Sequence, residues 1–173
     1  MADGERIVCK SAALVDSGRG VRFEVDYFGE AAPAFVVRKD AMQLFDGMRG
    51  LLEELSGKHL LAVATGKSRA GLDRDLDFHQ LKPLFASSRC ADETNPKPHP
   101  AMLMELMDEL GVDRQSSLMI GDTSHDLEMA RAASVDALAV TYGAHAEDGL
   151  RACQPLHCFS SVPQLRQWLT ANA

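Results

Sequence analysis

The sequence predicts an α/β protein built on a parallel sheet with helices on both faces. Three observations carry this. Helical and strand patterns alternate from Ala41 to the end of the chain. Two strand patterns, Leu60–Ala64 and Ala137–Thr141, are continuous apolar runs, as in strands buried on both sides. Polar residues with chemical potential follow strand ends, where ligands bind in such sheets.

Length and composition allow one domain with its own core: 173 residues, of which 46% are hydrophobic and 25% charged. The net charge of -7 argues against nucleic acid or an anionic membrane surface as the main partner. No run approaches the roughly 18 apolar residues of a membrane span. The opening Met-Ala-Asp-Gly-Glu-Arg has no basic-then-apolar leader pattern, and a cytoplasmic location is expected. Cys9, Cys90, Cys153 and Cys158 form no CxxC pair or metal-finger spacing.

Residues 1–40 differ in texture from residues 41–173 and read as a β-rich N-terminal segment. Ile7–Cys9, Val21–Tyr27 and Ala34–Val37 are short β-like runs separated by Ser17-Gly-Arg-Gly20 and by Gly29 to Pro33. In the second section, Leu44, Met48, Leu51, Leu52 and Leu55 recur at helical spacing up to Gly57. Leu60–Ala64 is followed by Thr65-Gly-Lys-Ser68 and a helical stretch to about Phe78. Leu81–Phe85 predicts a packed turn and Ala86–Cys90 a short strand. A proline-rich loop, Ala91–Pro100, carries Lys97. The next helix has a wide apolar face of Met102, Leu103, Leu106, Met107 and Leu110, closed by Gly111. His157–Phe159 predicts a last strand and Ser161–Leu169 a closing helix.

Between the Met-rich helix and the Ala137 strand lies Ser117-Leu-Met-Ile-Gly-Asp-Thr-Ser-His-Asp126, a strand that stops at Gly121 and releases two carboxylates at the mouth of a helix. Their four-residue spacing puts Asp122 and Asp126 near one face of the turn. Two hard oxygen ligands there, completed by water and a substrate oxygen, suit Mg²⁺. The plainer alternative is that Asp126 or Ser124 caps the helix. Gly66-Lys-Ser68 is not a P-loop, because position 61, where that motif needs glycine, is Leu61.

A hydroxyl with turn amides (Thr65, Gly66), an ammonium (Lys97) and a carboxylate pair (Asp122, Asp126) are what a phosphoryl group needs for positioning and charge neutralisation. Ala64-Thr-Gly66, Lys97-Pro-His-Pro100 and Gly121-Asp-Thr-Ser-His-Asp126 resemble motifs II, III and IV of the haloacid dehalogenase superfamily, in its phosphoglycolate-phosphatase-like branch. The resemblance covers roughly residues 41–173. It implies a three-layer Rossmannoid core, here without the cap domain. It also implies a Mg²⁺-dependent phosphomonoesterase acting on a small phosphorylated metabolite. Thr65 and Gly66 would hold the phosphate, Lys97 would neutralise the reacting oxygens, and Asp122 with Asp126 would bind or position Mg²⁺. Residues 1–40 resemble the first strands of small Rieske-type iron–sulfur proteins. They lack that family's Cys-x-His and Cys-x-x-His pairs, so no cluster is implied.

The superfamily's first motif, DxDG, ends the central strand and supplies the nucleophile and the acid/base. No DxD follows an apolar strand ahead of Ala41. Leu14-Val-Asp-Ser17 matches the residues that follow that motif, but Cys9–Ala13 stands where DxDGT belongs. The better candidate is Ala34-Phe-Val-Val37 as the central strand, with Arg38 in the nucleophile's place and Asp40 in the acid/base place. Arginine cannot attack phosphorus at any accessible pH, though it can pair with a phosphate. Three readings follow: a phosphatase crippled by the missing nucleophile, a non-catalytic phosphate-binding module using Thr65, Lys97 and Arg38, and a chain that completes its sheet as a homodimer.

Overall fold

The computed structural model describes residues 7–10, 15–16 and 43–172. The expected strands Val21–Tyr27 and Ala34–Val37, together with Arg38 and Asp40, lie outside the described residues. In chain order the elements are β1 (Ile7–Lys10), β2 (Val15–Asp16), β3 (Gln43–Leu44), α1 (Met48–Ser56), β4 (Leu60–Thr65), α2 (Arg69–Phe78), a 3₁₀ turn (Lys82–Leu84) and β5 (Ser87–Cys90). They continue with α3 (Ala101–Leu110), β6 (Ser117–Gly121), α4 (Ser124–Ala133), β7 (Asp136–Val140), α5 (Glu147–Ala152), β8 (His157–Phe159) and α6 (Val162–Asn172).

Six strands form one parallel sheet in the order β5-β4-β1-β6-β7-β8. Side chains alternate across it, because successive strand residues point to opposite faces. Leu61 and Val63 of β4, Ile120 of β6, and Leu138 and Val140 of β7 pack with α1, α2 and α6. Ala62, Ala64 and Met119 face α3 and α4, where Met102, Leu106 and Met129 are fully buried. Alanines on the β4 face leave room for these long, adaptable methionines. Layers of helix, sheet and helix result.

The slot between β4 and β6 is filled by Ile7–Lys10. The expectation that Ala34–Val37 supplies the central strand is thereby corrected, and the register that put Arg38 and Asp40 at its end loses its basis. The central strand comes from the segment expected to stand apart, so the sheet crosses the boundary drawn at residue 40. Ile7-Val-Cys-Lys10 carries three apolar residues before its lysine, against four in Ala34–Val37.

A smaller difference concerns α1. Leu44 shares the helical spacing of Met48 to Leu55, but it pairs antiparallel in the β2–β3 ribbon. Gly47 explains the late start. Its φ of 78° is left-handed, a conformation that glycine adopts without strain, and the Met48 amide closes a turn onto the Phe45 carbonyl.

Candidate active site

The carboxyl ends of β4 and β6 flank that of β1. Lys10, its last residue, is in register with Val63 and Ile120. Thr65 lies two residues beyond Val63, and Asp122 two beyond Ile120, so both sit at the same edge. Thr65 ends β4 and is 2% exposed. Its Oγ1 accepts the Lys67 amide at 3.2 Å, which leaves its O–H to donate. A Cβ on Gly66 would meet nothing within 4 Å, so any role of this glycine is through its backbone rather than through lack of room.

Lys97 reaches this edge from the β5–α3 loop through a cis Lys97–Pro98 peptide. Its Nζ donates to Asp126 Oδ1 at 2.5 Å, with the lysine side chain 9% exposed and the aspartate fully buried. The other Asp126 oxygen accepts from the Thr123 hydroxyl at 2.7 Å and the Thr123 amide at 3.1 Å. Thr123 in turn accepts the Asp126 amide, so the pair forms a reciprocal capping box at the start of α4. The plainer reading of Asp126 as part of a helix cap holds, with Thr123 rather than Ser124 as the N-cap residue, and both Asp126 oxygens are engaged. Gly121 makes this possible: a Cβ there would lie 2.3 Å from Asp126 Cβ.

Asp122 is held differently. Its Oδ2 accepts the Ala144 amide at 2.9 Å, and its carbonyl accepts the His145 amide at 3.1 Å. Its Oδ1 is buried and has no hydrogen-bond partner among the described residues. Burial pushes the Asp122 carboxyl above its ordinary range, Asp126 adds to the rise, and the Ala144 amide and Lys97 oppose it. An unpartnered carboxylate oxygen in a low-dielectric site is what an added cation would satisfy. Asp122 thus fits one Mg²⁺ ligand. Asp126 fits the role of positioning Lys97 and the turn. No cluster of three or more His, Cys, Asp or Glu suited to a metal occurs among the described residues.

A second network fixes the loop that carries Lys97. Arg69, at the start of α2, grips Glu93 through two bonds of 2.8 and 2.7 Å and also bonds Ser88. Asp92 accepts the Arg69 amide at 3.0 Å, and Glu93 accepts the Cys90 amide at 2.9 Å. The Arg69 bond holds the Glu93 carboxyl down at about 2. The turn after Thr65 and the loop before Lys97 are thereby tied to each other.

The structure brings Lys97 and Asp126 into contact, with Asp122 and Thr65 on the same edge. Sequence reasoning missed the contribution of Gly143, Ala144 and His145. The one available signal was their position just past the buried strand β7, on the edge where the other motifs end.

The chain belongs to the haloacid dehalogenase-like hydrolases, whose family model matches residues 31–140. It is 40% identical over 114 residues to the "probable phosphatase IndB" of Dickeya dadantii, covering 65% of this chain and 50% of that protein. It is 31% identical over 121 residues to the phosphoglycolate phosphatase of Colwellia psychrerythraea, covering 69% and 54%. A HAD-superfamily hydrolase from Geobacter sulfurreducens superposes with a TM-score of 0.62 at 26% identity, covering 73% of this chain and 61% of that one. The chain thus spans about half the length of these curated relatives.

Proposed function

We propose that the chain is a phosphatase-type scaffold of this family that binds Mg²⁺ and a small phosphate ester but hydrolyses the ester poorly or not at all. One observation carries this reading. The strand between β4 and β6 is Ile-Val-Cys-Lys, and no Asp or Glu occurs from Ile7 to Val15. The centre of the sheet therefore delivers no carboxylate to the edge where Thr65, Lys97 and Asp122 gather. Without an attacking group, positioning and charge neutralisation leave only a small part of the rate: removing a nucleophile elsewhere costs on the order of 10⁶ in turnover. Thr65 donates to a phosphate oxygen, Lys97 offers its charge, and Asp122 offers Oδ1 to the cation. When bound, Mg²⁺ neutralises phosphoryl oxygens. The names of the relatives support a phosphomonoester, with phosphoglycolate the first to try.

The test is steady-state hydrolysis of phosphoglycolate and of an aryl phosphate, with and without Mg²⁺, with Asp122→Asn as control. The expected outcome is no turnover above the control. Mg²⁺-dependent turnover that disappears in Asp122→Asn would refute the reading, and Asp40→Asn would then ask whether Asp40 is the replacement carboxylate. Counting back from Leu14–Ser17 places Cys9 and Ser11 at the two missing aspartates. The double change Cys9→Asp with Ser11→Asp is expected to raise Mg²⁺-dependent hydrolysis above background, whereas Arg38→Asp is not.

A further inference from the structure

The loop around Asp122 supports an inference that rests on the Mg²⁺ reading above and makes it more specific. Ala144 occupies Oδ2 through its amide at 2.9 Å, and the His145 amide holds the Asp122 carbonyl at 3.1 Å. His145 Nδ1 accepts the amide of Ser124, the first residue of α4, at 3.2 Å. The loop is thus pinned to the turn it covers. It also lies against the carboxylate: a Cβ on Gly143 would sit 2.3 Å from Asp122 Cβ and 2.4 Å from Oδ2. One oxygen, Oδ1, has no partner among the described residues, in a residue that is only 5% exposed.

We infer that the Tyr142–His145 loop is a cation-selectivity device that restricts Asp122 to ligation through one oxygen. Mg²⁺ takes six oxygens in near-octahedral geometry, whereas Ca²⁺ takes six to eight and commonly grips a carboxylate by both oxygens. Two-oxygen ligation here would have to share Oδ2 with the Ala144 amide and fit a cation beside the closely approaching Gly143, which disfavours it. The cost falls on Ca²⁺. His145 is a positioning residue: it touches no cation and acts by holding the loop in place.

The experiment is an amide-resolved NMR titration of the 173-residue chain with MgCl₂ and, separately, CaCl₂, following Gly121, Thr123 and Ala144. Mg²⁺ is expected to saturate these resonances at a concentration roughly tenfold or more below that needed for Ca²⁺, with the Ala144 amide remaining slow to exchange. His145→Ala, which removes the acceptor for Ser124, is expected to bring the two concentrations together. His145→Asn retains an acceptor and is expected to restore the gap. Equal affinities in the parent chain, or an unchanged gap in a folded His145→Ala, would overturn the inference while leaving the Mg²⁺ reading intact. If neither ion shifts these amides, or if Asp122→Asn binds both as the parent does, the Mg²⁺ reading fails and the inference falls with it.

Discussion

Asp122 pits its proposed function against stability. Its ionised form is disfavoured by burial, and one of its oxygens has no partner among the described residues. In metal-free buffer at neutral pH, Asp122→Asn should therefore raise stability in denaturant melts, because the neutral amide removes the buried charge, although it leaves a polar atom in the same unpartnered place. A loss of stability on that substitution would show that Oδ1 is satisfied in the folded chain. Glu93 gives the opposite case. Its folded pKa lies near 2 against an ordinary 4.5, so its contribution is present above 4.5 and lost as pH falls toward 2. With its side chain 34% exposed, that contribution is screened to about 1 kcal/mol. Glu93→Gln should remove this part of the acid sensitivity between pH 4.5 and 2, as read by melts at stepped pH. Among single residues, Thr65, Lys97, Asp122 and Asp126 were legible because each ends or follows a patterned element. Gly143 and His145 were not, because their contribution is a close approach between two loops that no local pattern encodes.

At the scale of elements, α4 and α3 show two kinds of support. Helix α4 begins with the Thr123–Asp126 capping box, which also orients the carboxylate that holds Lys97. Thr123→Ala removes two side-chain bonds and should cost about 1–2 kcal/mol, the upper range for cap deletions. If stability were unchanged, the box would not be holding the helix start. The N-cap residue of α3, Pro100, offers no side-chain bond; His99 Nδ1 accepts the Ala101 amide at 3.2 Å, and the helix relies mainly on packing, with Met102 and Leu106 fully buried. Met102→Ala should cost roughly 2–5 kcal/mol, measured as a shift in unfolding midpoint. The face of α3 was legible from the spacing of its apolar residues. The start of α1 was not, because Leu44 keeps the helical spacing while Gly47 breaks the backbone path.

At the scale of the whole molecule, the layers and the edge that holds the candidate site were readable from β4 and β7, whose apolar runs announce burial on both faces. The strand order was not. Choosing the central strand by apolar content favoured Ala34–Val37, whereas partner register sets Ile7–Lys10 between β4 and β6. Pairing in a parallel sheet is a non-local property, and a four-residue strand has too little pattern to declare it. Among the described residues no helix is long and apolar enough to cross a membrane. Because β1 joins β4 on one side and β6 on the other, the sheet is a closed seam with a single removable tooth. Among the described residues, strands β4 and β5 on one flank and β6, β7 and β8 on the other are hydrogen-bonded into one sheet only through it, while their side chains share the cores on both faces. A chain lacking residues 1–16 would expose two long unpaired strand edges, the kind that recruit another strand. Such a truncated chain should aggregate or self-associate beyond the state of the full chain, and a synthetic peptide of residues 1–16 should restore the full chain's sedimentation behaviour. Monomeric, cooperative folding of the truncated chain alone would show that the two flanks can close without that tooth.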